Sequence, residues 1–354
     1  MVDKKDRNYI LINFFISRLI IYTIIYVISN FEFAKLFDCK YYINIANNGY
    51  TQEIQYAFFP LIPLIIRYLS PIGLLIINNI CSLLTTFLFY IISKKYLQTK
   101  NPIITSLLWI WSPITIFTMI YYTESIFVFL TIFAYFCYKE NKYLLSGICI
   151  GLSVCSRSTG SILFFALFIG FCIQLYQHKN KIYNLLKMYI PATIISCLYP
   201  IYLQMKLGNW KFFVDIQYEY WEKEKCNLIS LFFKWDYIKN ATYPSIRPIY
   251  LFDYIISLIL IILLIALCIY KIKNKKYFDI ILYMGLTILM ITSTCKNLNC
   301  PTVSYYRYLF GCYSSIFLLP QKKYIVNIFK AISIIISCLL LCNIWFSRKG
   351  IWYV

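Results

Sequence analysis

Acidic side chains are scarce in this chain: fourteen Asp and Glu stand against thirty-four Lys and Arg in 354 residues, beside a single histidine. That histidine, His178, sits in the basic turn Gln177-His178-Lys179-Asn180-Lys181 and reads as a surface residue, so no Ser/His/Asp set is available for acyl transfer. No glycine-rich phosphate cradle occurs, which leaves nucleotide hydrolysis without support. The fourteen cysteines form no CxxC pair and no Cys/His cluster of metal-ligand spacing, and most read as small buried hydrophobes. Cys295 and Cys300 flank one short loop and are either a disulfide in an oxidising lumen or two free thiols.

Charge of either sign is also sparse, at 14% of residues, while 61% are hydrophobic and the mean hydropathy is +0.67. A soluble chain carries about a quarter charged residues. The net charge of +20 comes from short lysine clusters between apolar runs and not from one continuous face, so it marks membrane topology; nucleic acid is not an expected partner. The opening Met1-Val2-Asp3-Lys4-Lys5-Asp6-Arg7 resembles a signal-peptide n-region, but a long apolar stretch without a small-residue cleavage site follows, and a retained first helix is expected.

The apolar runs predict an all-α polytopic membrane protein, because a helix needs about 20 residues to cross roughly 30 Å of hydrocarbon. Candidate spans are 9–30, 71–93, 101–120, 122–138, 143–156, 160–177, 187–207, 250–270, 277–294, 304–320 and 325–346, in a single domain over 1–354. Several are short, so a bundle of about 9–11 transmembrane helices is expected, with partial helices at 57–69 and around Arg157. Seventeen Lys and Arg fall in alternate loops at 4–7, 94–100, 139–142, 179–187, 271–276 and 322–323. The opposing short loops and tail hold six: Lys35, Lys40, Arg157, Lys296, Arg348 and Lys349. The N-terminus is therefore predicted cytoplasmic, and loops 31–56 and about 208–249 luminal. The second loop carries the sequon Asn240-Ala241-Thr242, a glycosylation acceptor if luminal.

Among the few carboxylates, Asp38 follows the first span in a loop that folds back on the membrane. It is either a base for an attacking sugar hydroxyl or a solvated loop aspartate. Glu53 lies further along the same loop, and Glu124, at a short luminal turn, could hold a hydroxyl or cap the following helix. Arg157 and Arg307 stand beside apolar spans. Each could clamp a lipid-linked phosphate, reach the interface, or pair with a carboxylate such as Glu124.

The segment Phe37-Asp38-Cys39-Lys40-Tyr41-Tyr42, continuing through Ile45-Ala46, Gly49-Tyr50, Glu53 and Ala57-Phe58-Phe59-Pro60 to Pro63, resembles the signature loop of the PIG-V family of GPI mannosyltransferases. Trp111-Ser112-Pro113 leading to Tyr122-Thr123-Glu124-Ser125, and Ser156-Arg157-Ser158-Thr159-Gly160, resemble two further segments of that family. Phe37 stands where the family carries Trp, and the second half matches only in hydropathy and in Arg307-Tyr308-Leu309.

The resemblance implies a GT-C type enzyme of the endoplasmic reticulum membrane that moves mannose from dolichyl-phosphate mannose to a GPI precursor as its second mannose, in an α-1,6 linkage with inversion. It implies Asp38 as the base and Tyr42, Tyr50, Glu53, Phe58, Phe59, Pro60, Glu124, Arg157 and Arg307 as substrate-binding residues, with no metal and no cofactor. Expected partners are membrane lipids, the lipid-linked donor, the GPI precursor glycolipid and, left open, a small accessory membrane subunit. The alternatives are a bacterial-type polyprenyl-phosphate-sugar glycosyltransferase with another acceptor, a noncatalytic subunit, and a transporter or scramblase. A transporter predicts two related halves, and no internal repeat is visible.

Overall fold

Inside hydrocarbon every backbone N–H and C=O needs an internal partner, and helices supply one within each segment. The computed structural model follows that rule, and it describes residues 2–33, 36–239, 247–296 and 300–347. Sixteen helices and two short strands lie within these limits: α1 Lys4–Ser29, α2 Cys39–Asn48, α3 Leu61–Lys95, α4 Pro102–Ile110, α5 Glu124–Lys139, α6 Tyr143–Ser156, α7 Gly160–Tyr176, α8 Ile182–Leu207, α9 Phe212–Glu219, β1 Lys223–Lys225, α10 Leu228–Leu231, α11 Asp236–Lys239, α12 Arg247–Lys271, α13 Phe278–Thr292, β2 Thr294–Lys296, α14 Tyr305–Gly311, α15 Tyr313–Leu318 and α16 Lys323–Ser347. Five helices are long and apolar enough to cross a membrane: α1, α3, α8, α12 and α16. The protein is an all-α polytopic membrane protein.

Several expected spans are interrupted. The run 101–120 is α4 followed by a 3₁₀ turn at Thr115–Thr118, the run 304–320 breaks between α14 and α15 at Cys312, and α6 and α7 part at Arg157. Helix α3 extends the expected 71–93 back to Leu61, with a break where Ser70 turns to φ 66° ahead of Pro71. Proline's ring disfavours the helical conformation of the residue before it. The sequon at Asn240, and Lys35, Arg348 and Lys349, lie outside the described residues. The long loops are structured where described. The first holds α2, which buries Cys39, Tyr42, Ile45 and Ala46 on one face, and the second holds α9, β1, α10 and α11.

The basic turns gather at the end of the bundle where α1 begins. Lys94 meets Asp3 at 2.9 Å, Tyr90 donates to Asp6 at 2.6 Å, Lys95 pairs with Glu140, and Lys139 meets Asp279 at 2.5 Å. Asp38, Glu124, Arg157 and Arg307 lie at the opposite end, which leaves the two ends chemically distinct.

Close packing is sharpest between α6 and α8. Gly147 and Gly151, four residues apart, let α6 approach until a Cβ at Gly147 would sit 2.0 Å from the Met188 carbonyl oxygen and one at Gly151 would sit 2.6 Å from the Ile195 Cβ. Where lipid surrounds both helices, such backbone proximity replaces the hydrophobic effect as the source of association. Gly147→Ala is therefore expected to cost about 1–3 kcal/mol by forcing the helices apart. Gly285→Ala, at a position with open space around it, should be neutral. Thermal unfolding of the detergent-solubilised variants checks this, and equal midpoints would refute the tight α6–α8 contact.

Candidate active site

The site begins with a strained turn. Phe37 takes φ 48°, a left-handed conformation unusual for a bulky residue, and the chain then enters α2 with Asp38 at its N-cap position. Phe37 packs on Phe117, ring centroids 5.4 Å apart, and on Tyr122 at 6.1 Å, so the turn leans on the segment leading into α5. Tyr122, buried, donates its hydroxyl proton to Asp38 Oδ2 at 2.7 Å and lies 3.2 Å from the Asp38 backbone N–H. Asp38 itself is half-buried, so one carboxylate is both fixed and reachable.

The Tyr122 segment is in turn pinned from two helices. Asn78 of α3 donates to the Ile120 carbonyl at 2.8 Å and the Tyr122 carbonyl at 3.3 Å, and Ser125 donates to the Asn78 carbonyl. Arg18, buried in the first apolar helix, donates to Thr118 at 3.1 Å and to Ser82 of α3. It makes no carboxylate ion pair among the described residues, and its guanidinium lies 4.5 Å from the Phe14 ring centroid. Sequence reading passed over Arg18 because a lone arginine in an apolar run carries no signal of what it holds.

Glu124, at the start of α5, is 0% exposed and receives both arginines. Arg157 Nη1 pairs with Glu124 Oε1, and Arg307 Nε lies 3.3 Å from the same oxygen. The Arg307 approach is an ion contact without hydrogen-bond alignment, since its Nε has no hydrogen-bond partner. Of the readings the sequence left open for these arginines, ion pairing with Glu124 is present in the structure. Both guanidinia also lie against aromatic faces: Arg157 5.2 Å from the Tyr308 centroid, and Arg307 5.2 Å from Phe117, 5.3 Å from Tyr122 and 5.5 Å from Tyr308. Held this way, they line a narrow crevice of about 10 Å³, walled by Phe127, Thr159, Ile162, Tyr283, Thr287 and Tyr308 among others.

Tyr42 completes the link, packing edge-on against Tyr122 at 6.0 Å and Phe58 at 5.1 Å. Burial, and then the Asp38 charge, push its phenol well above the ordinary tyrosine range, so it remains a proton donor at any working pH. Asp38, Tyr42, Phe58, Glu124, Arg157 and Arg307 thus share one neighbourhood.

The other expected site residues belong to an adjoining layer. Tyr50 donates to the Phe58 carbonyl at 2.7 Å and stacks on Tyr56. Phe59 packs on Tyr199 and Phe213, and Pro60 caps α3. Glu53 is exposed and accepts a 2.7 Å hydrogen bond from Tyr220. These four shape the signature loop without touching the charged cluster. Tyr122, Phe117 and Tyr308 were missed; Tyr122 could have been suspected from standing two residues before Glu124. Cys295 and Cys300 are both free, Cys295 donating to Glu224 at 3.3 Å and Cys300 to Asp253 at 3.3 Å. No group of three or more His, Cys, Asp or Glu converges as a metal-ligand set among the described residues.

The family model described as Mannosyltransferase (PIG-V) matches residues 22–241, which include Asp38, Tyr122, Glu124 and Arg157. GPI alpha-1,6-mannosyltransferase 2 of Cricetulus griseus is 28% identical over 142 residues, a match covering 35% of this chain. The match spans 29% of that relative's own length. No solved structure matches.

The Glu124 cluster generates a stability prediction. Glu124→Gln leaves two guanidinia facing each other around a neutral amide, and breaking a buried ion pair in this way costs about 3–5 kcal/mol. Glu53→Gln should stay within about 0.5 kcal/mol of the parent, as exposed substitutions do. Thermal unfolding in detergent compares the two, and equal losses would remove Glu124 from its anchoring role.

Proposed function

The chain belongs to the PIG-V mannosyltransferase family, and from that premise we propose that it is an inverting GT-C type glycosyltransferase. In this reading it transfers the second mannose of the GPI core, in α-1,6 linkage, from dolichyl-phosphate mannose to a GPI precursor on the luminal side of the endoplasmic reticulum membrane. The observation that carries the reading is the juxtaposition of a fixed, half-buried carboxylate with two arginines gathered on Glu124, joined to it through Tyr122. The luminal placement is supported by the gathering of basic turns at the end of the bundle opposite Asp38.

Inversion needs a single displacement at the anomeric carbon and one base. Asp38 accepts the proton of the acceptor's 6-hydroxyl as that oxygen bonds to the mannose C1. The C1–O bond to phosphate breaks, and its electron pair leaves with dolichyl phosphate. Tyr122, by holding Oδ2, orients the carboxylate; an ordinary aspartate is a weak base, so positioning supplies much of its effect. The leaving phosphate departs as an anion without a general acid. Arg157 and Arg307, preorganised by Glu124, stabilise the charge that develops on it. The chemistry therefore calls for no cofactor and no metal. A small accessory membrane subunit remains part of the proposal for the assembled enzyme.

Microsomes containing the protein, given labelled dolichyl-phosphate mannose and a one-mannose GPI acceptor, should yield a two-mannose lipid. A product on another acceptor would overturn the assignment while keeping the reaction class. Asp38→Asn keeps the shape and should lower turnover by about 10²–10⁴-fold at normal protein level. Tyr122→Phe, which removes only the hydroxyl that steadies Asp38, should lose about tenfold in kcat with little change in KM. Wild-type rates in Asp38→Asn would eliminate it as the base.

A further inference from the structure

A strap crosses the working end of the bundle between α9 and α10. At one side Tyr220 donates to Glu53, and Trp221 packs against Phe58, ring centroids 5.9 Å apart, which attaches the strap to the signature loop. At the other, β1 pairs antiparallel with β2, with Lys223 opposite Lys296, Glu224 opposite Cys295 and Lys225 opposite Thr294. Tyr305, at the start of α14, donates to the Thr294 carbonyl at 2.6 Å, so the ladder is tied to the helix that carries Arg307 and Tyr308. Residues 220–225 therefore connect the Asp38 side of the site to the arginine side.

Side chains alternate along a strand, so Glu224 and Lys223 face opposite ways. Glu224 is committed on its own face: Lys234 reaches it at 2.5 Å, Tyr237 at 3.0 Å and Cys295 at 3.3 Å. Burial pushes its carboxyl up, but those hydrogen bonds outweigh burial and hold it below the usual range, so it stays ionised and occupied. On the other face Lys223 stands directly across from Lys296, and like charges in that relation are destabilising. No carboxylate is ion-paired with Lys223 among the described residues, and Lys223 is half-buried. Its charge acts on the Tyr308 hydroxyl, together with those of Arg307 and Arg157. Three cations thus bear on one tyrosine at the crevice, and Glu124 is the carboxylate that both arginines share.

We propose that Lys223 is a third cationic ligand of the phosphate of the lipid-linked sugar donor, brought by the strap to the side of the site that carries Arg307 and Tyr308. This rests on the glycosyl-transfer reading above. A sugar phosphodiester carries one negative charge, and the phosphate monoester released from it carries up to about two, its second pKa lying near 6. A third cation interacts more strongly with the leaving phosphate than with the intact donor, as an interaction that favours the transition state must.

The test uses the full-length protein in lipid nanodiscs, with dolichyl phosphate as the probe. Lys223→Ala should weaken dolichyl phosphate binding about tenfold or more and raise the donor KM by less, leaving the acceptor KM unchanged; Lys223→Arg should restore most of the loss. Inorganic phosphate at equal concentration should compete poorly, since the site belongs to a lipid-borne phosphate. If wild type and Lys223→Ala bind dolichyl phosphate equally, the proposal fails even where transfer is active. A selective rise in the acceptor KM would assign Lys223 to an acceptor phosphate and also overturn it. A wild-type protein that binds dolichyl phosphate through Lys223 but transfers no mannose would sink the reaction instead and leave the phosphate ligand standing.

Discussion

One buried carboxylate organises the working end of this protein. Glu124 begins α5 with no exposure, Arg157 reaches it from the break between α6 and α7, and Arg307 reaches it from α14. A guanidinium held away from water needs a counter-charge, and a carboxylate so placed needs a cation, so three distant parts of the chain are driven to one point. Two arginines share that one carboxylate, and Asp38 lies in the same neighbourhood. In the proposed reading, those two guanidinia are what the phosphate of the donor meets.

The interrupted helices gain a purpose from this arrangement. A straight span through 143–176 would carry Arg157 inside a continuous helix; the break releases it at the C-cap of α6, with extended backbone at φ −156°. Likewise the stretch between α4 and α5 leaves helical geometry long enough to present Phe117 and Tyr122 to Asp38 and Arg307. Irregular backbone in a helical membrane protein is tolerated where protein surrounds it. Here it is pinned by Asn78 and Arg18, polar side chains in otherwise apolar helices. Those two residues are costly in hydrocarbon, and the backbone they hold carries Tyr122 to Asp38.

Much of the fold was legible in the chain. Hydropathy is a sum over neighbours in sequence, so the apolar runs reported the membrane, the helical class and most of the boundaries. The break around Arg157 was legible as well, because the runs on either side are too short. The interruption at Cys312 was not, since Tyr305 to Leu318 reads as one apolar stretch. Within the site, Asp38, Glu124 and the two arginines stood out as rare charges beside apolar spans. Tyr122 and Lys223 did not, because a chain with thirty-five tyrosines and lysine-rich loops gives no local reason to single out one of either.

Acting alone, the sequence determined that this is a polytopic helical membrane protein whose few carboxylates and arginines are concentrated in the turns. The tertiary structure decided which of them meet. Asp38 and Tyr122 are 84 residues apart in the chain and Arg157 and Glu124 are 33 apart, and each pairing depends on how helices pack. The physical reason is one of range. Hydrophobicity and backbone propensity act along a few turns of chain and are written locally, whereas charge pairing and aromatic contact act between surfaces that exist only once the bundle has assembled.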